Sequence, residues 1–309
     1  MKRIEIKENN LNMVYEITDE NEIKLLHFSN LPFDENDINS CEGTDSFRPV
    51  EVLLSGLNRP GERHGTKYTY TAPGYRLKYK DMKDYRNETG RKLEILMEDK
   101  PTGLEVCSNI QFYDGISVIR SWTELKNNGE EDLGVEYVSS FALLGIDKEG
   151  LLSTDEKLEV LIARNAWQKE LIWNRFSMDQ LGMSISQPDK VRRSSQTISV
   201  GNTGNWSTKN YLPMGCLKNK ETDSILFWQI EQNGSWYWEI SDQDGHMYLQ
   251  LSGPTEHQSH WWKNLKPGDT FASVPVSVGS ACGDVEEAAG ELTKYRRAIR
   301  RKNEDNEKL

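Results

Sequence analysis

The chain has 309 residues, 36% hydrophobic and 28% charged. That length allows one large domain or two ordinary ones, with a sizeable core. Its 38 basic and 49 acidic side chains leave a net charge of −11, which repels phosphate backbones and argues against nucleic-acid binding.

The start, MKRIEIKENN (1–10), lacks the apolar stretch of a secretory signal. No apolar run approaches the ~18–20 residues of a membrane helix, so no membrane partner is expected. Residues 3–28 then read as three short strands, RIEIKE, NMVYEI and EIKLLHF. Four more follow at 92–98, 104–113, 116–125 and 133–144, with Asp114-Gly115 and Asn127-Asn128-Gly129 as turns. Residues 145–196 give no clean period and read as strands joined by longer loops.

From Ser224 the period of two returns. SILFWQIE, SWYWEI and HMYLQL, with Asn233-Gly234 and Asp242–Gly245 between them, predict a three-stranded antiparallel meander over 224–251. In the second of these strands Trp236, Trp238 and Ile240 share one face, and Ser235, Tyr237 and Glu239 the other. Residues 270–279 alternate again, as one strand. One helix closes the chain. Asp284 and Glu287 form a capping box, Ala288, Leu292, Tyr295 and Ile299 share a face, and basic residues gather at the end. So many short strands predict an all-β fold of two large facing sheets.

Four scattered cysteines, Cys41, Cys107, Cys216 and Cys282, form no CxxC pair, which suggests free thiols in a reducing cytoplasm. No phosphate loop, nucleophile elbow or zinc-protease signature occurs. His257 and His260 stand in a Gly-Pro-flanked loop without ligand partners in sequence, so no metal and no cofactor are expected. Asp45, Glu51, Glu239 and Asp242 read as solvated turn and strand carboxylates rather than a hydrolytic pair. The residues alone thus give an aromatic-rich all-β domain with nine tryptophans, suited to facing sugars.

Several segments resemble the amino-terminal region of glycoside hydrolase family 36 α-galactosidases. They are SFRPVEVLL (46–54), the run 93–143, GNTGNWSTKNYLPMG (201–215), FWQIEQNGSWYWEI (227–240), 251–279 and DVEEAAGELTKYRRAIRR (284–301). The resemblance implies a galactose-mutarotase-like β-supersandwich over 1–283. Residues 284–309 would then be a helix and linker towards a (β/α)8 barrel that the chain lacks. It implies an enzyme that releases terminal α-galactose with retention from sugars such as melibiose and raffinose, with both catalytic aspartates on the barrel. No catalytic residue is therefore assigned here, and the chain alone is expected to be inactive.

In that family, loops of this region shape the substrate pocket, often across a subunit boundary, which implies a homo-oligomer. The matching stretch is 45–64, with Asp45, Arg48, Arg63 and His64 as substrate-binding candidates, since the arginine fork suits sugar hydroxyls. Trp206, Trp261 and Trp262 are candidate aromatic contacts, to the barrel or to sugar. The competing reading is a free-standing carbohydrate-binding module.

Overall fold

The computed structural model describes residues 1–36, 47–57, 67–183, 196–243, 245–301 and 303. In chain order its strands are β1 (Lys2–Glu8), β2 (Leu11–Ile17), β3 (Ile23–Ser29), β4 (Val52–Leu54), β5 (Lys78–Arg86), β6 (Arg91–Asp99), β7 (Leu104–Tyr113), β8 (Ile116–Asn127), β9 (Leu133–Leu144), β10 (Leu158–Ala166), β11 (Lys169–Ser177), β12 (Ile198–Asn202), β13 (Tyr211–Asn219), β14 (Ser224–Ile230), β15 (Trp236–Gln243), β16 (His246–Ser252), β17 (Lys263–Leu265), β18 (Thr270–Ala272) and β19 (Val276–Cys282).

All described pairings are antiparallel, because strands joined by short turns must reverse direction. A ten-stranded sheet runs β11-β10-β13-β14-β19-β8-β7-β6-β5, with β18 also on β8. A six-stranded sheet runs β12-β15-β16-β9-β17, with β4 also on β9. The ribbon β1-β2-β3 adds its own buried face, including Leu11, Met13 and Tyr15, to the main core. The fold is therefore the all-β, two-sheet supersandwich expected from the sequence.

The sheets meet at two tryptophans. Trp228 on β14 and Trp238 on β15 are fully buried, with ring centroids 5.1 Å apart and planes at 76°. That edge-to-face arrangement suits the positive edge and negative face of indole rings. Around them pack Val106, Ile119, Leu143, Leu249, Leu251 and Val278 from both sheets.

The same contact corrects the expected meander over 224–251. β14 pairs with β13 and β19 in the larger sheet, whereas β15 pairs with β12 and β16 in the smaller one. Residues 231–235 carry the chain between sheets, with the Glu231 N–H held by the Pro275 carbonyl at 2.9 Å. Periodicity gives each strand's face but not its partner, and five residues are enough to cross layers about 10 Å apart. Only β15 and β16 form the expected hairpin.

The single strand expected over 270–279 is two, β18 and β19. The break holds Pro275, which has no N–H for a ladder. β5 (KYKDMKDYR) went unread because an edge strand carries charges on both faces, which discourages pairing with other chains.

The closing helix, Val285–Ile299, forms as expected. Asp284 and Glu287 complete the capping box. Ala288, Leu292 and Tyr295 pack on the outer face of the ten-stranded sheet, against Val118, Leu161, Cys216, Ile225 and Phe227. Arg175 on β11 fixes the helix start by an ion pair to Asp284 at 2.6 Å.

Trp238→Ala is expected to lower unfolding free energy by about 3–5 kcal/mol, the usual range for a fully buried aromatic. Trp262→Ala, at a residue 61% exposed, is expected to stay within about 0.5 kcal/mol of the parent. Chemical denaturation checks both. Equal losses would place the core elsewhere.

Candidate functional site

The six-stranded sheet buries both of its faces. On β15 the inward residues are Trp236, Trp238 and Ile240, as the alternation requires. The opposite face carries Tyr237 and Glu239, joined by Tyr248 and Gln250 from β16 and Tyr137 from β9. Segment 67–76, which ends in the short helix Ala72–Arg76, lies over this second face. Tyr68 stacks on Tyr137 at 3.9 Å between centroids and meets Tyr237 edge-on at 5.7 Å.

Two buried carboxylates hold the segment by its backbone. Glu239 accepts from the Tyr68 N–H at 2.8 Å, the Tyr237 hydroxyl at 2.8 Å and the Tyr248 hydroxyl at 2.9 Å. Glu51 accepts from the Tyr70 N–H at 3.1 Å, the Thr71 N–H at 3.0 Å and the Thr71 hydroxyl. Tyr70 has φ 53°, a left-handed conformation rare outside glycine. A Cβ at Gly74 would lie 2.6 Å from Glu51 Oε2, so only glycine fits there. Lys67 is buried as well, and donates to Asp242 Oδ1 at 2.7 Å and to the Asp242 carbonyl at 3.1 Å.

Burial penalises the charged carboxylate and outweighs the hydrogen bonds that favour it. The Glu51 carboxyl is pushed up to about 7, with the Thr71 and Tyr70 donors and the Arg48 charge opposing the rise. Glu239 is raised for the same reason. Both are enclosed and supplied with donors from the chain itself, so neither is presented to a glycosidic oxygen. The expectation that Glu51, Glu239 and Asp242 are solvated is thereby corrected: their exposures are 4%, 0% and 3%. Sheet alternation placed Glu239 away from the core, and the second buried face was not anticipated. The signal for it was the tyrosines at 137, 237 and 248, too many for a wet face.

This network stands at the roots of the two stretches that carry most of the candidate residues. Asp45 lies just before Phe47, and Arg63 and His64 just before Lys67; all three fall outside the described residues. Phe47 packs edge-on to His246 at 5.9 Å, and Lys67 holds Asp242. Asp242 and His246 flank the same β15–β16 turn. Arg48 is buried, paired with Glu22 at 3.1 Å and set over the Tyr75 ring at 5.2 Å. Trp206 is 55% exposed, in a loop held by the Trp236 indole N–H on the Ser207 carbonyl at 2.7 Å. Trp261 packs on Phe271 at 5.4 Å while Trp262 is exposed, so the adjacent pair divides between core and surface. Cys107, Cys216 and Cys282 are free thiols; Cys41 lies outside the described residues. Among the described residues no group of three His, Cys, Asp or Glu side chains is arranged to hold a metal ion. No described helix is long and apolar enough to cross a membrane.

These features define a β-supersandwich with a closed second face that holds the residues bordering 37–46 and 58–66. Solved structures share that fold. The GH36 α-galactosidase AgaA of Geobacillus stearothermophilus, in complex with 1-deoxygalactonojirimycin, matches with a TM-score of 0.70 at 15% identity, over 94% of this chain and 42% of its own. The α-galactosidase of Lactobacillus brevis matches with a TM-score of 0.69 at 13% identity, over 96% and 42%. The galactosidase domain of the α-galactosidase–sucrose kinase AgaSK matches with a TM-score of 0.67 at 16% identity, over 94% and 42%. The chain thus spans less than half the length of the structures it matches, and the resemblance read from the sequence holds at the level of fold. No protein-family model and no curated protein matches the sequence.

Glu51 makes stability depend on pH. Its folded value, about 7, exceeds its ordinary 4.5, so the folded state holds this proton more tightly than the unfolded chain does. The contribution is complete below pH 4.5 and is lost as pH rises through about 7, a difference of about 3 kcal/mol. Denaturation curves across that window should show the parent losing stability relative to Glu51→Gln as pH rises. Parallel curves for the two proteins would contradict it.

Proposed function

We propose that this chain is the non-catalytic amino-terminal supersandwich of a retaining α-galactosidase acting on sugars such as melibiose and raffinose. In this reading residues 1–283 are the sandwich and 284–309 lead towards a catalytic barrel. The sandwich supports the barrel, supplies one wall of the sugar pocket and takes part in a cytoplasmic homo-oligomer. The observation that carries it is the fold match over 94% of this chain but 42% of a GH36 enzyme. The remainder of such an enzyme is where a double displacement by two carboxylates would be housed.

The clamp around Glu51 and Glu239 gives the wall its rigidity. A loop that must present donors to sugar hydroxyls works best when its roots are fixed. Asp45, Arg63 and His64 stand next to those roots in sequence. Arg48 acts from beneath, through Glu22 and Tyr75. Trp206 and Trp262 are aromatic faces open to a neighbouring domain. Their exposure also favours a second reading, a sugar-binding module that works alone.

The purified 309-residue chain is expected to show no turnover of an aryl α-galactoside. The product of the gene read past codon 309 should hydrolyse melibiose or raffinose. In that product Arg63→Ala should raise KM several-fold with little change in kcat. Turnover by the chain alone, or unchanged constants in the variant, would contradict the proposal. Saturable binding of galactose or raffinose by the chain alone would support the module instead.

A further inference from the structure

A cavity of about 470 Å³ opens between the closing helix and the end of the ten-stranded sheet. Its volume falls in the ~300–1,000 Å³ range of small-molecule sites. Its walls are mainly apolar: Trp173, Leu212 and Met214 from the sheet, and Val285, Ala288 and Leu292 from the helix. Gly215 and Trp228 also line it.

Charge enters this cavity from one residue. Arg296 lines it together with Gln229, and both its Nε and Nη2 donate to Gln229 Oε1, the former at 2.9 Å. Among the described residues Arg296 makes no ion pair, in a chain with 49 acidic side chains. The guanidinium is exposed, leaving donors free for an incoming anion. Cys216, also on the wall, is held as a neutral thiol by burial, so the lining adds no negative charge there.

We propose that this cavity is a binding site for a small amphipathic carboxylate. The apolar tail lies between the helix and β13, and the carboxylate meets Arg296 at the mouth. Burial of the tail supplies affinity, and the guanidinium fork orients the head group. The site is built entirely from the sandwich and its helix. It stands or falls independently of the α-galactosidase reading.

Octanoate is the probe, with octanol as its uncharged counterpart, titrated calorimetrically into the whole chain. Octanoate should bind saturably at one site. Arg296→Gln should weaken octanoate by about tenfold, the effect of losing one charged hydrogen-bonding partner, and leave octanol unchanged. Ala289→Trp, at an exposed position on the rim, should plug the cavity and abolish binding of both with the circular dichroism spectrum retained. If that variant fails to fold, Thr293→Trp plugs the same rim. Absence of saturable octanoate binding would overturn the proposal. So would undiminished octanoate binding by Arg296→Gln, or by a folded tryptophan variant.

Discussion

The second face of the six-stranded sheet depends on two carboxylates taken out of water and fully supplied with donors. Glu239 and Glu51 together receive the N–H groups of Tyr68, Tyr70 and Thr71. Each of those donors, buried without its acceptor, would cost about 1–3 kcal/mol. The segment therefore cannot lift away piecemeal. The tyrosines around it turn a polar clamp into a packed one, since Tyr68 stacks on Tyr137 and meets Tyr237 edge-on while the Tyr237 hydroxyl donates to Glu239. The same enclosure raises the carboxyl proton affinities, so the fold is most stable when Glu51 is protonated, even though the amide donors themselves favour the ionised carboxylate.

The sandwich proper rests on a different contact, the edge-to-face meeting of Trp228 and Trp238. It joins strands that are close in sequence but belong to different sheets. The helix Val285–Ile299 then covers the larger sheet from outside. The six-stranded sheet has its covering from segment 67–76, and the larger one from the helix. Most large aromatic side chains find a buried place in one of these layers; among the described residues Tyr85, Trp167, Trp206 and Trp262 are exposed, and Trp206 and Trp262 are surface candidates in the proposed function.

Strands were legible where apolar and polar residues alternate, whether or not the polar face is wet. β6 through β9 and β14 through β16 alternate apolar and polar residues, and the capping box marked the helix. Three things were not legible. The partner of β14 depends on a crossing between layers that no local pattern encodes. Pro275 divides a stretch whose valines alternate across it. Glu51 and Glu239 look like ordinary surface carboxylates until segment 67–76, distant in sequence from β15, arrives above them. Arg48, a candidate from the resemblance, is buried against Glu22 and Tyr75, an environment that its sequence neighbourhood does not announce.

Amide hydrogen exchange over residues 67–76 tests the clamp most directly. The account expects the Tyr68, Tyr70 and Thr71 amides to be protected as strongly as those of β15 and β16, with protection factors, taken relative to the intrinsic base-catalysed rate, that fall once Glu51 is ionised. Exchange at the rate of an open loop at every pH would mean that the carboxylates do not hold this segment, and that the rigid wall proposed for the sugar pocket does not exist.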